Sequence, residues 1–327
     1  MEEQKQIAII GAGPIGIACA LECKKRNWDY VVIEKGALTN SLYNYPKNMT
    51  FFSTSQKLEI DDIPFISIHP KPNRDEALEY YRRVATSNNL NINLYEKVIS
   101  IKKEKNQFSI TTNKHAYTSE NLIIASGFYD IPNLLNVPGE HLPKVTHYYK
   151  EAHAYAMQDV VVVGASNSSV DAALELWRKG SKVTMVVRGK EIGQRVKYWV
   201  RPDIINRIEE GSIDAYFNSE IMEIKEHAVI IKTPEGTKHI PNDFVLALTG
   251  YRPDFEFLKS AGIKLSGDGH YIPHYNPGTM QTNVKGLYLA GVICGGMETH
   301  KWFIENSRIH AKLIANHIEN SKFTAKT

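Results

Sequence analysis

The chain has 327 residues, more than one domain usually holds, so two compact units with separate cores are expected. Its 39 Lys and Arg against 36 Asp and Glu leave a net charge of +3 without any long block of one sign, which argues against nucleic acid or a membrane surface as partner. Small molecules, or a second copy in a homo-oligomer, are the partners to expect.

The N-terminus enters an apolar run after six mostly polar residues, with no basic stretch leading an uncharged one, and no run reaches membrane-spanning length. A cytoplasmic protein is the expectation. The three cysteines, Cys19, Cys23 and Cys294, form no spaced, even framework, which fits unbridged thiols in a reducing compartment.

Residues 6–10 read as a strand and pass at once into Gly11-Ala12-Gly13-Pro14-Ile15-Gly16, followed by apolar residues at helical spacing to Lys25. Gly11 permits the turn, Gly13 lets backbone approach a pyrophosphate, and Gly16 lets helix and strand pack closely. The next apolar run, residues 30–33, ends at Glu34, 23 residues beyond Gly11, the return distance of a dinucleotide fold. Glu34 can accept hydrogen bonds from an adenosine ribose, and Lys35 is placed in the same site. Tyr43, Asn44 and Tyr45 follow in an aromatic stretch; Asn44 and Tyr45 are candidate cofactor contacts, with packing of the insertion as the alternative. Residues 122–127 then form an apolar strand ending in Ala125-Ser126-Gly127.

The opening phrase recurs. Residues 159–163 run into Gly164-Ala165-Ser166-Asn167-Ser168-Ser169 and a helix whose expected stop is Gly180. The following strand ends at Arg188, 24 residues past Gly164, in the place Glu34 holds in the first copy. An arginine there suits a 2′-phosphate, which a carboxylate would repel, and with Lys190 and Arg195 it makes a small positive cluster favouring NADPH over NADH. Ser166 and Ser169 replace glycines; small hydroxyl residues still allow close approach and can donate to phosphate. Residues 244–250 close this half on a strand ending at Gly250.

After a strand over residues 285–291, Gly291 and Val292 lead into a glycine-rich turn carrying Cys294. That is the one thiol singled out for redox work, with simple packing as the alternative. Trp302 and Phe303 open a last amphipathic helix whose stripe Phe303, Ile304, Ile309, Leu313 and Ile314 reads mostly as core. Twelve scattered histidines show no ligand pattern, so no metal is assigned.

Together GAGPIG with Glu34, then IIASG, GASNSS with Arg188 and LALTG resemble the flavin-dependent pyridine-nucleotide reductases of low-molecular-weight thioredoxin reductase architecture. The resemblance covers nearly the whole chain. It implies an α/β protein with two Rossmann-like, three-layer domains, a discontinuous FAD domain over 1–128 and 251–327 and an NADPH domain over 129–250. It also implies that the start of the last helix could stabilise negative charge on reduced flavin. The stretches at Tyr43–Ser53, Tyr80-Tyr81-Arg82 and His300–Asn306 are most similar to the bacillithiol-disulfide reductase branch. Family FAD domains carry Gly-Asp after the late strand where this chain has Gly291-Val292, and that branch is expected to show the same replacement. Branch members often have a cysteine in the first loop, where this chain has Ile15.

Thioredoxin reductases hold a Cys-x-x-Cys pair in the NADPH domain; this chain has none. The resemblance thus implies an NADPH-dependent flavoprotein reducing a low-molecular-weight disulfide without a resident dithiol. A ferredoxin or flavodoxin NADP reductase, passing electrons to a small redox protein, is the alternative enzyme. A flavin-carrying redox sensor is the non-enzymatic one.

Overall fold

The computed structural model describes residues 2–324, so Met1 and residues 325–327, the outer ends of the range expected for the discontinuous domain, lie outside the described residues. The chain divides into two compact units: Met1–Tyr43, Met49–Ile131 and Tyr251–Thr327 in one, Asn44–Asn48 and Pro132–Gly250 in the other.

The first unit is organised by the strand Ala116–Ile124, which pairs in parallel along its whole length with Glu2–Ile10. Beyond Glu2–Ile10 come Tyr30–Ile33 and then Ile92–Asn93, all parallel. The opposite edge of Ala116–Ile124 is shared. Its first half takes the antiparallel strand Gln107–Thr112, which continues to Val98–Glu104, and its last three residues take the parallel strand Leu287–Leu289. The late strand therefore closes a sheet that the N-terminus began, which explains why one unit is assembled from distant pieces of chain.

The helix Pro14–Lys25 is buried from Ile15 through Cys23 because it packs between this sheet and the helix Ile309–Thr324. The insertion after Glu34 is tied down by two tyrosines of the helix Arg74–Ser87. The Tyr81 hydroxyl donates to the Leu58 carbonyl at 2.8 Å, and the Tyr80 hydroxyl donates to Ile63 at 2.8 Å while accepting from the Ile60 amide at 3.0 Å. This gives the Tyr80-Tyr81 pair a structural task.

The second unit holds a five-stranded parallel sheet in the order Asp214–Tyr216, Lys182–Val186, Asp159–Val163, Phe244–Ala247, Val145–Thr146. The all-valine run 160–163 belongs to a strand covered on both faces. Val160 and Val162 pack with Val170, Ala173 and Leu174 of the helix Asn167–Arg178, whereas Val161 and Val163 pack with Ile221, Val229 and Ile231 of a three-stranded antiparallel sheet. Helices, parallel sheet and antiparallel sheet make three layers. Gly180, in the left-handed region at φ 83°, follows the helix end at Arg178 and its cap Lys179.

Candidate nucleotide sites

In the first unit, strand hands over to helix within three residues. Gly11 has φ 103°, and a Cβ there would lie 2.6 Å from the Ala125 carbonyl oxygen, so the turn accepts only glycine. A Cβ on Gly16 would lie 1.8 Å from the Gly11 oxygen, whereas one on Gly13 would meet nothing within 4 Å. Gly16 is thus required by packing, while Gly13 opens onto free space at the start of Pro14–Lys25. That helix has no side-chain cap and no acidic residue in its first turn, leaving its first amides and partial positive charge to an anion.

Glu34 is buried, and its two carboxylate oxygens accept from the Ala12 amide at 2.8 Å and the Gly36 amide at 2.9 Å. Burial raises this carboxyl above its ordinary range, and the two amides partly offset the shift. Each oxygen keeps a further acceptor position for ribose hydroxyls. The loop therefore fits an adenosine diphosphate. Lys35 is exposed and ion-paired with Asp130 at 2.6 Å. Ser126 and Gly127 follow the strand beside Gly11, both half-buried, but Asn44 and Tyr45 group with the second unit.

Gly291 sits where the late strand meets the first loop: a Cβ on it would lie 3.4 Å from Ile15 Cγ1. Its amide donates to His310 Nδ1 at 3.1 Å, which places the imidazole proton on Nε2. His310 is 1% exposed, and burial lowers its pKa to about 4. Val292 opens the short 3-10 turn Val292–Gly295. Trp302 is half-buried with its ring edge-on to His310 at 4.6 Å.

The expectation that Trp302 and Phe303 open one long helix is corrected. A single turn, Ile304–Ser307, precedes the helix Ile309–Thr324, and its start is capped by Asn306 Oδ1, which accepts from the Phe303 amide at 2.7 Å. The break also shifts the stripe: Phe303 is 52% and Ile309 48% exposed, while His310, Ala311, Ile314, Ala315 and Ile318 face the core.

The second loop repeats the first with altered parts. Gly164 has φ 126°, its amide donates to Val186, and a Cβ would lie 2.7 Å from the Leu248 oxygen. The helix Asn167–Arg178 again lacks a side-chain cap and first-turn acid. Ser166 and Ser168 are exposed and available to phosphate. Ser169 is not: it is fully buried and its hydroxyl donates to the Ser166 carbonyl at 2.9 Å, so the reading of Ser169 as a phosphate donor is corrected. Arg188, Lys190 and Arg195 are exposed, with no ion partner among the described residues. Gly250, at φ 90°, has its carbonyl bonded by the Asn133 amide at 2.9 Å.

Cys294, distant in sequence, converges on Cys19 and Cys23, which share one helix. Burial, then the neighbouring Cys23, Glu22 and Cys294, push the Cys19 thiol up, and burial pushes Cys294 up strongly. All three are 1% exposed. Cys294 is therefore a core thiol poorly suited to form thiolate.

The model of the family described as pyridine nucleotide-disulphide oxidoreductase matches residues 8–291. The bacilliredoxin reductase Bdr of Bacillus subtilis (strain 168) is 45% identical over 96% of this chain and 98% of its own length. The solved bacillithiol disulfide reductase Bdr of Staphylococcus aureus is 43% identical with a TM-score of 0.95, covering 98% of this chain and 99% of that one. Its counterpart from Bacillus cereus is 41% identical at 0.95, covering 98% and 100%.

Gly16→Ala should destabilise the flavin-stripped protein by about 2 kcal/mol or more, since backbone must move to admit the methyl group. Gly13→Ala should leave its melting temperature near wild type yet impair FAD retention. Equal melting curves for the two variants would contradict the packing assignment; thermal unfolding and released-flavin assay decide.

His310 is neutral in the fold, so the unfolded chain takes up a proton first as pH falls. The associated stability is present above pH 6.5 and lost toward pH 4, amounting to about 3 kcal/mol when complete. His310→Asn keeps an acceptor for Gly291 without titrating, and urea unfolding at pH 7 and 4.5 should show a smaller loss for the variant.

Proposed function

The chain belongs to the pyridine nucleotide-disulphide oxidoreductase family, and from that membership we propose that it uses NADPH and FAD to reduce a low-molecular-weight disulfide such as bacillithiol disulfide. In this reading the first unit binds FAD through Gly11, Gly13, Gly16 and Glu34, and the second binds NADPH through Gly164, Ser166, Ser168 and the basic residues after Val187. The observation that carries it is that both dinucleotide loops are built for anions while all three thiols lie in the core.

Bound FAD supplies a carrier that accepts a hydride and releases two electrons. The net reaction consumes one NADPH, one proton and one disulfide, and yields NADP+ and two thiols. This chain's part is to bind and orient: the uncapped helix ends hold the two pyrophosphates, Glu34 meets a ribose, and His310 fixes Gly291 against Ile15. Without a Cys-x-x-Cys pair, and with Cys294 sealed in the core, the disulfide is reduced from the flavin without a protein dithiol.

A cytoplasmic homo-oligomer is part of the same proposal. It is supported by the three unbridged thiols and by Ile66 and Ile68, 90% and 91% exposed, which a second copy would cover. No helix among the described residues is long and apolar enough to cross a membrane.

Anaerobic NADPH should bleach the bound flavin, and bacillithiol disulfide should then restore the oxidised spectrum. Replacing Cys19, Cys23 and Cys294 together with alanine should leave both half-reactions within a few-fold of wild type. Loss of the second half-reaction alone would make a resident thiol an obligatory carrier. Rapid ferredoxin reduction with disulfides untouched would decide for the ferredoxin reductase reading.

A further inference from the structure

We infer that Arg195 grips the pyrophosphate of the pyridine nucleotide, leaving discrimination by the 2′-phosphate to Arg188 and Lys190. The inference rests on reading the second glycine loop as the NADPH site, and it divides a basic cluster that sequence spacing presents as one.

The division comes from where the backbone on either side of each residue is held. On the Arg195 side, the Gly193 amide donates to the Ala165 carbonyl at 2.9 Å, so close that a Cβ on Gly193 would lie 2.8 Å from that oxygen. Asn167 then holds the segment at both ends of its amide. Its Nδ2 donates to the Arg195 carbonyl at 3.2 Å, and its Oδ1 accepts from the Lys197 amide at 2.9 Å. Lys197, only 7% exposed, sets its ammonium 2.7 Å from the Asp171 carboxylate, one turn along the same helix. The main chain of Arg195 is thereby laid against residues 165–167, where the uncapped helix begins.

On the Arg188 side, the flanking backbone is held one strand away. The Val187 amide donates to Tyr216 at 2.9 Å, the Ser219 amide donates to Val187 at 3.0 Å, and the Asn218 amide donates to Gly189 at 2.9 Å. Arg188 and Lys190 therefore leave the fold beside the 214–219 strand and its exit, and Arg195 leaves it at the glycine loop.

A dinucleotide lays its pyrophosphate on the helix N-terminus and its adenosine ribose at the end of the next strand. The guanidinium of Arg195 starts from the first of these places and those of Arg188 and Lys190 from the second. Clamping matters because an arginine on a loose loop loses main-chain and side-chain freedom on binding, and the clamp removes part of that loss beforehand. Asn167 is then a positioning residue: its amide is occupied by the 195–197 segment.

The test is calorimetric titration of the holoenzyme with NADP+, NAD+ and 2′-AMP, the last carrying a 2′-phosphate but no pyrophosphate. Arg195→Gln should weaken NADP+ and NAD+ by the same factor, roughly tenfold or more for loss of a charge-assisted hydrogen bond, and leave 2′-AMP unchanged. Arg188→Gln should weaken NADP+ and 2′-AMP while sparing NAD+. Asn167→Leu should reproduce Arg195→Gln, and the double variant should be no weaker than Arg195→Gln alone, as expected for residues acting as a unit. Unchanged 2′-AMP binding shows the domain still folded, which a structural fault would not spare. A larger penalty on NADP+ than on NAD+, any loss of 2′-AMP binding in Arg195→Gln, or no effect on all three ligands would overturn the inference. If wild type fails to prefer NADP+ and ignores 2′-AMP, the NADPH reading falls, while equal NAD+ affinity in wild type and Arg195→Gln separately rejects the role of Arg195.

Discussion

A parallel strand that must become a helix within three residues can do so only through a left-handed turn pressed against the neighbouring strand. At Gly11 and Gly164 the backbone takes φ 103° and 126°, and an added Cβ would lie 2.6 Å from the Ala125 oxygen and 2.7 Å from the Leu248 oxygen. The same turns aim an uncapped helix end outward from each sheet. Anion binding is thus a by-product of how strand and helix are joined, and the remaining residues determine which anion and in what company.

The two copies diverge in how each turn is closed and completed. The first closes its turn with Gly16, whose missing side chain lets the helix press on the Gly11 carbonyl, and completes it with Glu34, whose carboxylate accepts the Ala12 and Gly36 amides. The second substitutes Ser169, which needs more room and spends its hydroxyl on Ser166, and has no carboxylate at the position of Glu34. Its loop is steadied instead by Gly193, Asn167 and the Lys197–Asp171 pair. In that pair Lys197 is buried and Asp171 only half-buried, so removing the carboxylate would leave a buried ammonium without its partner.

What sequence made legible is local. The glycine phrases and the return distances to Glu34 and Arg188 each lie within a single strand-helix-strand unit, where periodicity and spacing carry the geometry. What stayed hidden depends on contacts that periodicity and spacing do not announce. The last helix is interrupted at Arg308, and the apparent stripe divides into an exposed Phe303 and Ile309 and a buried His310 face. Asn167 stands in the second glycine loop among candidate ligand contacts, and only the position of residues 195–197 shows that its amide bonds their backbone. Asn44 and Tyr45 follow the strand Tyr30–Ile33 and Glu34 in sequence yet belong to the second unit.

The thiols show how such long-range placement bears on chemistry. Cys294 stands in a glycine-rich turn, a setting that sequence alone leaves open to solvent, but the late strand draws that turn into the sheet beside Ala116–Ile124 and seals the sulfur with Cys19 and Cys23. In that surrounding a thiolate loses its hydration: burial, with Cys23 and Glu22 beside it, disfavours the charged form at Cys19, and at Cys294 burial outweighs the opposing pull of Lys301. Nor does Ile15 offer sulfur at the first loop; its side chain instead packs against Gly291. The chain has thus placed its three thiols where they serve as packing, and what its two glycine loops and the strands beside them present is amides, hydroxyls, a carboxylate and basic side chains. Groups of that kind hold and orient charged ligands, and electron transfer in such a protein must pass through what those groups hold.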